Sequence, residues 1–231
     1  MEYTYVISDV HGCYKTLLSL IDKLPNKKYS KICFVGDLID RGINSYDVIE
    51  FIMDHDYDCV LGNHEKLFLE YAPMLKNDRN NPLLSNWLFK NGGAQTIRSY
   101  KSEEKLYKHL NFIKTLPLYI KYKNNKTKDG RDLVVSHSAV GKAWELRHSI
   151  NEVNIRRFES QLLWSRYKDF NNKKIFNVYG HTIFDHPQIT KYSAAIDLGC
   201  YKRNKKVPNP RLCALEFPTM KIYTQKSLED L

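Results

Sequence analysis

The stretch Val35-Gly36-Asp37-Leu38-Ile39-Asp40-Arg41-Gly42 decides how the rest of this chain is read. It continues the apolar run Lys31-Ile32-Cys33-Phe34-Val35, which predicts a buried strand, and closes it with two carboxylates and a guanidinium. Charges at the edge of a buried strand are costly to desolvate unless something binds them. Gly36 and Gly42 let the backbone turn tightly and bring a ligand close to the main chain. The stretch therefore reads as a binding loop at the carboxyl end of a strand.

Working outward, the same plan occurs on both sides. Residues 3–8 form a short apolar strand that runs into Asp9-Val10-His11-Gly12, after which Leu17, Leu18, Ile21 and Leu24 fall at helical spacing and stop at Pro25-Asn26. After the central loop a helix begins near Ser45, with Val48, Ile49 and Ile52 on one face. A third unit has the brief strand Cys59-Val60-Leu61, the loop Gly62-Asn63-His64-Glu65 and a helix carrying Leu67, Phe68 and Tyr71. Three successive strand-loop-helix units predict an α/β fold with a parallel sheet whose carboxyl-end loops lie side by side.

Residues 73–115 read as a helical cap or insertion, broken at Asn80-Asn81-Pro82 and Asn91-Gly92-Gly93. Residues 118–122 and 132–136 predict a hairpin around the polar tip 124–130, with His137 just past its second strand. Residues 149–170 turn helical again, and 175–179, 194–197, 211–216 and 221–224 are strand-like, the first closing on Gly180-His181-Thr182. No linker divides the chain, so one domain with two sheets over residues 1–231 is expected.

Composition narrows the setting. At 231 residues, 42% hydrophobic and 27% charged, the chain is globular and long enough to bury a core. No apolar run approaches a membrane span, and Met1-Glu2-Tyr3-Thr4 does not read as a signal peptide, so a cytoplasmic location is expected. Cys13, Cys33, Cys59, Cys200 and Cys213 form no C-x-x-C pair, which argues for reduced thiols over a disulfide framework or zinc knuckle. The net charge of +10 favours an anionic partner, although its lysines are scattered along the chain.

Asp9, His11, Asp37, Asn63, His137 and His181 all sit immediately after strands. Two divalent cations need such a set of imidazole, carboxylate and amide-oxygen donors, with Asp37 as the carboxylate that bridges them. Asp9-x-His11 is expected to present both side chains on one side of an extended segment. Two metals roughly 3.5–4 Å apart suit hydrolysis of a phosphoester. His64 next to Asn63 can then protonate a leaving group while Asp40 fixes its tautomer, and Arg41 and Arg166 can fork onto phosphate oxygens.

The blocks Asp9-Val10-His11-Gly12, Gly36-Asp37-Leu38-Ile39-Asp40-Arg41-Gly42 and Gly62-Asn63-His64-Glu65 resemble the signature blocks of the calcineurin-like metallophosphoesterases, in their phosphoprotein phosphatase branch. The similarity continues through Asn91-Gly92-Gly93, Leu163-Trp164-Ser165-Arg166, Tyr179-Gly180-His181-Thr182 and Ile196-Asp197-Leu198-Gly199-Cys200. The resemblance implies a four-layer α/β/β/α sandwich with a di-metal centre, commonly manganese, with iron or zinc as alternatives. It assigns Asp9 and His11 to one metal, Asn63, His137 and His181 to the other, and Asp37 to both. His64 becomes the proton donor, Asp40 its partner, and Arg41 and Arg166 the phosphate clamps. Leu61 departs from this branch, which carries arginine there, and resembles the related diadenosine tetraphosphatases.

Two enzyme readings follow. The first is a phosphomonoesterase, a Ser/Thr or dual-specificity protein phosphatase, in which metal-bridging hydroxide attacks phosphorus directly. The second is a pyrophosphohydrolase acting on dinucleoside polyphosphates or RNA 5′ ends, which Leu61 motivates. A catalytically dead binding module that uses the fold as a scaffold is a third reading, opposed by the complete donor set. Arg166 also reads as an ordinary helix-end cation, and Asp197 as either a support for the site or a strand-end turn. His55, His109, His148 and His186 carry no motif and are expected to be solvated or locally satisfied.

Overall fold

The computed structural model describes residues 3–76, 81–167, 172–202 and 207–229. The three opening units are present in order: β1 (Thr4–Ile7) and α1 (Tyr14–Lys23), β2 (Lys31–Phe34) and α2 (Ser45–Asp54), β3 (Asp58–Cys59) and α3 (Asn63–Tyr71). A short 3-10 turn (Ala72–Lys76) leads to α4 (Pro82–Lys90), α5 (Gly93–Ser99) and α6 (Glu103–Lys114), the expected helical insertion. Asn81 caps α4 by accepting from Leu83 N–H, with Pro82 in the first turn, so the Asn-Pro punctuation begins a helix. Asn80 lies outside the described residues.

The second half supplies β4 (Tyr119–Lys126), β5 (Asp132–Ser136), α7 (Glu152–Trp164), β6 (Ile175–Tyr179), β7 (Gln188–Ile189), β8 (Ser193–Ala195), β9 (Arg211–Phe217) and β10 (Lys221–Lys226). β4 runs further than its apolar residues predict. Asn125 is buried and its amide reaches Thr4 Oγ1, which keeps the chain extended through the supposed polar tip. β7 escapes the sequence pattern because both its residues are exposed and it pairs only as an edge. The predicted helix over 149–170 ends at Trp164; residues 168–170 lie outside the described part.

The strands form two mixed sheets, ordered β10-β9-β1-β2-β3 and β4-β5-β6-β8-β7. β1, β2 and β3 are parallel, and β9 adds antiparallel to β1. Strand alternation sorts the core into layers. Val6, Cys33, Leu215 and Phe217 of the first sheet meet Leu133, Val135, Phe176 and Val178 of the second in one apolar layer. Tyr5, Ile7, Ile32 and Phe34 point the other way, into a cluster with Leu17, Leu20, Ile49 and Phe68 from α1, α2 and α3. Val134 and Ile175 pack on Phe158 and Leu162 of α7. The result is the α/β/β/α sandwich, with the loops after β1, β2, β5 and β6 at one edge.

Candidate metal centre

The loops after β1 and β2 are bound to each other before any ligand is considered. Val10 N and His11 N both donate to Asp37 O at 3.0 and 2.9 Å, and Gly12 N donates to Leu38 O at 2.8 Å. His11, Asp37, Asp40, Arg41 and His181 all have left-handed backbones, with φ of 48°, 50°, 66°, 69° and 66°. Non-glycine residues rarely adopt this region, and such strain gathers at functional sites. It also corrects one expectation: the segment Asp9-x-His11 is not extended throughout, because the chain turns at His11. Gly36 has φ of 87°, and a Cβ there would lie 2.6 Å from Gly62 N, so glycine permits the close approach of the second and third loops.

Three donor groups meet on one side of Asp37. His137 Nε2 lies 2.8 Å from Asn63 Oδ1, 3.0 Å from His181 Nδ1 and 3.5 Å from Asp37 Oδ1. On the other side, His11 Nε2 lies 3.5 Å from Asp37 Oδ2 and His64 Nε2 lies 4.0 Å from the same oxygen. Asp37 thus touches both groups. Asp9 is buried beside them, with its carboxylate accepting His181 N–H at 3.0 and 3.2 Å.

The chemistry of these atoms fits a pair of divalent cations. His11 Nδ1 and His137 Nδ1 contact the carbonyls of Ile39 and Val35 at 2.8 and 2.9 Å, so each ring donates there and turns a lone pair inward from Nε2. Burial lowers the His137 pKa and pulls His11 and His181 down to about 3, which keeps all three neutral. The inward lone pair of His137 therefore faces the acceptor Asn63 Oδ1, an arrangement that a cation between them resolves. Burial, together with the charges of Asp197 and Asp37, raises the Asp9 pKa well above the carboxylate range. Positive charge in the centre offsets that repulsion.

His64 is held differently. Its Nδ1 donates to Asp40 Oδ2 at 2.6 Å, and its backbone N donates to Asp37 Oδ1 at 3.0 Å from the start of α3. Burial would lower the His64 pKa, but the Asp37 charge and the Asp40 hydrogen bond outweigh it and raise it. His64 lies with His11 and Asp37 in one group of atoms able to hold an ion, and its Nδ1 hydrogen bond to a carboxylate sets it apart from His11 and His137, whose Nδ1 atoms face backbone carbonyls. Arg41 reaches Lys90 O and Asn91 Oδ1 at the end of α4, and its guanidinium lies over the Tyr201 ring. Arg166 Nη1 donates to His181 O at 3.1 Å. Both arginines stand at the rim of the donor cluster.

A model of the calcineurin-like phosphoesterases matches residues 3–183, a span that holds every one of these donors. The chain belongs to the calcineurin-like phosphoesterase family. Calcineurin-like phosphoesterases are enzymes with a divalent metal centre, and this chain carries His and Asp groups able to hold one. Among curated relatives it is 26% identical to the asymmetrical bis(5′-nucleosyl)-tetraphosphatase PrpE of Bacillus subtilis, over 87% of each chain. It is 24% identical to the symmetrical bis(5′-nucleosyl)-tetraphosphatase of Buchnera aphidicola subsp. Baizongia pistaciae, over 84% of this chain and 66% of that one. The chain thus spans just under two thirds of that symmetrical relative. A solved structure of a candidate diadenosine tetraphosphatase superposes with a TM-score of 0.65 at 18% identity, covering 99% of this chain and 95% of that one. A Saccharomyces cerevisiae protein serine/threonine phosphatase with similarity to human PP5 gives 0.63 at 16%, covering 100% and 81%. At such identities the structural likeness shows the shared fold.

Three residues around the centre were not singled out by sequence reasoning. Glu65 accepts from the backbone N–H groups of Asp37, Leu38 and Gly62 at 2.7, 2.8 and 3.0 Å, tying the second loop to the third. Trp87 Nε1 donates to Asp40 Oδ2 at 3.0 Å, and Thr96 Oγ1 donates to Asp40 Oδ1 at 2.6 Å. Trp87 is fully buried. The only local sign of its role is Gly93, where a Cβ would lie 2.3 Å from the Trp87 ring.

Proposed function

We propose that this protein is a single-domain hydrolase of bis(5′-nucleosyl) polyphosphates, of the diadenosine tetraphosphate type, working with two divalent metal ions. Leu61 carries this choice over a protein phosphatase. It is buried in the cluster beneath the first sheet, and its N–H donates to Pro117 O at 2.8 Å. No cationic side chain reaches a phosphate from position 61. The tetraphosphatase names of the curated relatives support the same reading over the phosphoprotein one.

In this reading Asp9 and His11 would hold one ion and Asn63, His137 and His181 the other, with the Asp37 carboxylate serving both. Manganese is the proposed metal, with iron or zinc as alternatives. When bound, the ions supply Lewis-acid activation of water and clamp the oxygens of an in-line displacement. The chain's own residues do the rest. His64 gives its Nε2 proton to the departing phosphate oxygen while Asp40, fixed by Trp87 and Thr96, holds the opposite nitrogen. Arg41 and Arg166 neutralise phosphate oxygens at the rim, and Arg41 Nε is buried without a partner among the described residues. The net charge of +10 attracts a polyanion. A cytoplasmic setting is part of the proposal, supported by five free, buried cysteines.

Side-by-side assay of the manganese-loaded protein on diadenosine tetraphosphate and on a phosphoserine peptide tests the reading. A kcat/KM advantage of about a hundredfold or more for the dinucleotide is expected. An advantage of similar size for the peptide would restore the protein phosphatase reading.

A further inference from the structure

A cavity of about 710 Å³ opens between α7 and the 3-10 segment Gly141–Leu146. Its wall includes Arg156, Arg157, Gln161, Trp164 and Tyr167. Trp87 and Trp144 are 0% and 2% exposed, whereas Trp164 is 46% exposed and Tyr167 is 73% exposed. Two solvated aromatic faces and two guanidinium groups therefore share one concave surface, and hydrolysis at the metal centre uses none of them.

The cavity adjoins the metal centre through bonded structure. Ser138, which follows His137, donates from N to Leu162 O at 2.9 Å and from Oγ to Gln161 O at 2.6 Å. Gln161 Nε2 returns a bond to Ala139 O at 2.7 Å. At the other end, Arg166 binds the His181 carbonyl, and Trp164 lies two residues before it, at most about 7 Å away between Cα atoms. The cavity wall at Trp164 and the arginine that binds the His181 loop are thus two residues apart along the chain.

We infer that this cavity is a nucleoside subsite, in which the base at the far end of the substrate's phosphate chain stacks on Trp164 and Tyr167 against the Arg156 and Arg157 wall. The inference rests on the proposed dinucleotide reading and names where the second nucleoside goes. Base stacking on aromatic side chains is indifferent to base identity, and guanidinium planes stack on bases as well as attracting phosphate. The subsite therefore takes purine nucleotides with little discrimination.

Two measurements separate this inference from the reading beneath it. The first compares kcat/KM for diadenosine tetraphosphate with that for p-nitrophenyl phosphate, which is too short to reach the cavity, in Trp164→Ala and Tyr167→Ala. The dinucleotide-to-aryl ratio is expected to fall on the order of tenfold in each variant, through KM, the size of one lost stack. An unchanged ratio in both overturns the subsite. The second measures quenching of tryptophan fluorescence by ADP, with inorganic phosphate as the comparison, since Trp164 is the solvated tryptophan. Quenching by ADP that phosphate does not reproduce, and that Tyr167→Ala weakens, supports the subsite even if the wild type fails to cleave the dinucleotide. Cleavage of the dinucleotide with no ADP quenching and an unchanged ratio overturns the subsite and leaves the proposed function standing.

Discussion

His64 shows at the scale of one residue why its ring differs from the three other histidines of the site. Its Nδ1 is committed to Asp40, and Asp40 in turn accepts from Trp87 and Thr96, so the carboxylate cannot swing away. Replacing His64 by Ala is expected to lower kcat by about 10²- to 10⁴-fold on substrates with poor leaving groups, the usual range for lost acid–base catalysis. The loss on p-nitrophenyl phosphate should be much smaller, because that leaving group departs without a proton. Equal losses on both substrates would refute the proton-donor role. The places of His64 and Asp40 in neighbouring loops, together with the family resemblance, suggested their pairing. They could not suggest Thr96 or Trp87, which lie 56 and 47 residues from Asp40.

At the scale of elements, the helical insertion proves to be part of the site's scaffold. α4 and α5 carry the two residues that hold Asp40, and the end of α4 holds Arg41. β9 shows a second kind of support. Its Glu216 is ringed by the hydroxyls of Thr219, Tyr5 and Tyr223 at 2.6, 2.9 and 3.0 Å, which join β1, β9 and β10. Burial would raise the Glu216 pKa, but these hydroxyls outweigh it and lower it. A carboxyl depressed on folding contributes stability above its ordinary pKa of 4.5 and loses it as pH falls through the folded value. Unfolding midpoints in urea should therefore drop on acidification, and the drop should be shallower in Glu216→Gln. Parallel pH profiles for the two proteins would show that Glu216 is not responsible.

At the scale of the molecule, the donor cluster is a joint between the two sheets. Asp9, His11, Asp37 and Asn63 come from loops of the first sheet, and His137 and His181 from loops of the second. A ligand that binds only the folded state stabilises it by mass action, about 2.7 kcal/mol at a hundredfold excess over Kd. For a chain of this size that corresponds to a rise in Tm of roughly 5–10 °C on adding manganese to chelator-stripped protein. Asp37→Asn, which removes the carboxylate charge shared by both candidate groups, should abolish most of the rise. A thermal shift of the same size in that variant would place the ions elsewhere.

The sequence by itself determined the strand-loop-helix order, the parallel start of the first sheet and the polar blocks after its strands. Those features are local: apolar periodicity and glycine-framed loops are written in neighbouring residues. Only the tertiary structure decided that α4 and α5 fold back onto Asp40, that Glu65 ties two loops together, and that α7 walls an aromatic cavity beside His137. Each of these depends on contacts between distant parts of the chain, set by how two twisted sheets and their covering helices pack. The left-handed turn at His11 belongs to the same group, because hydrogen bonds to the Asp37 loop impose a backbone that its own sequence disfavours.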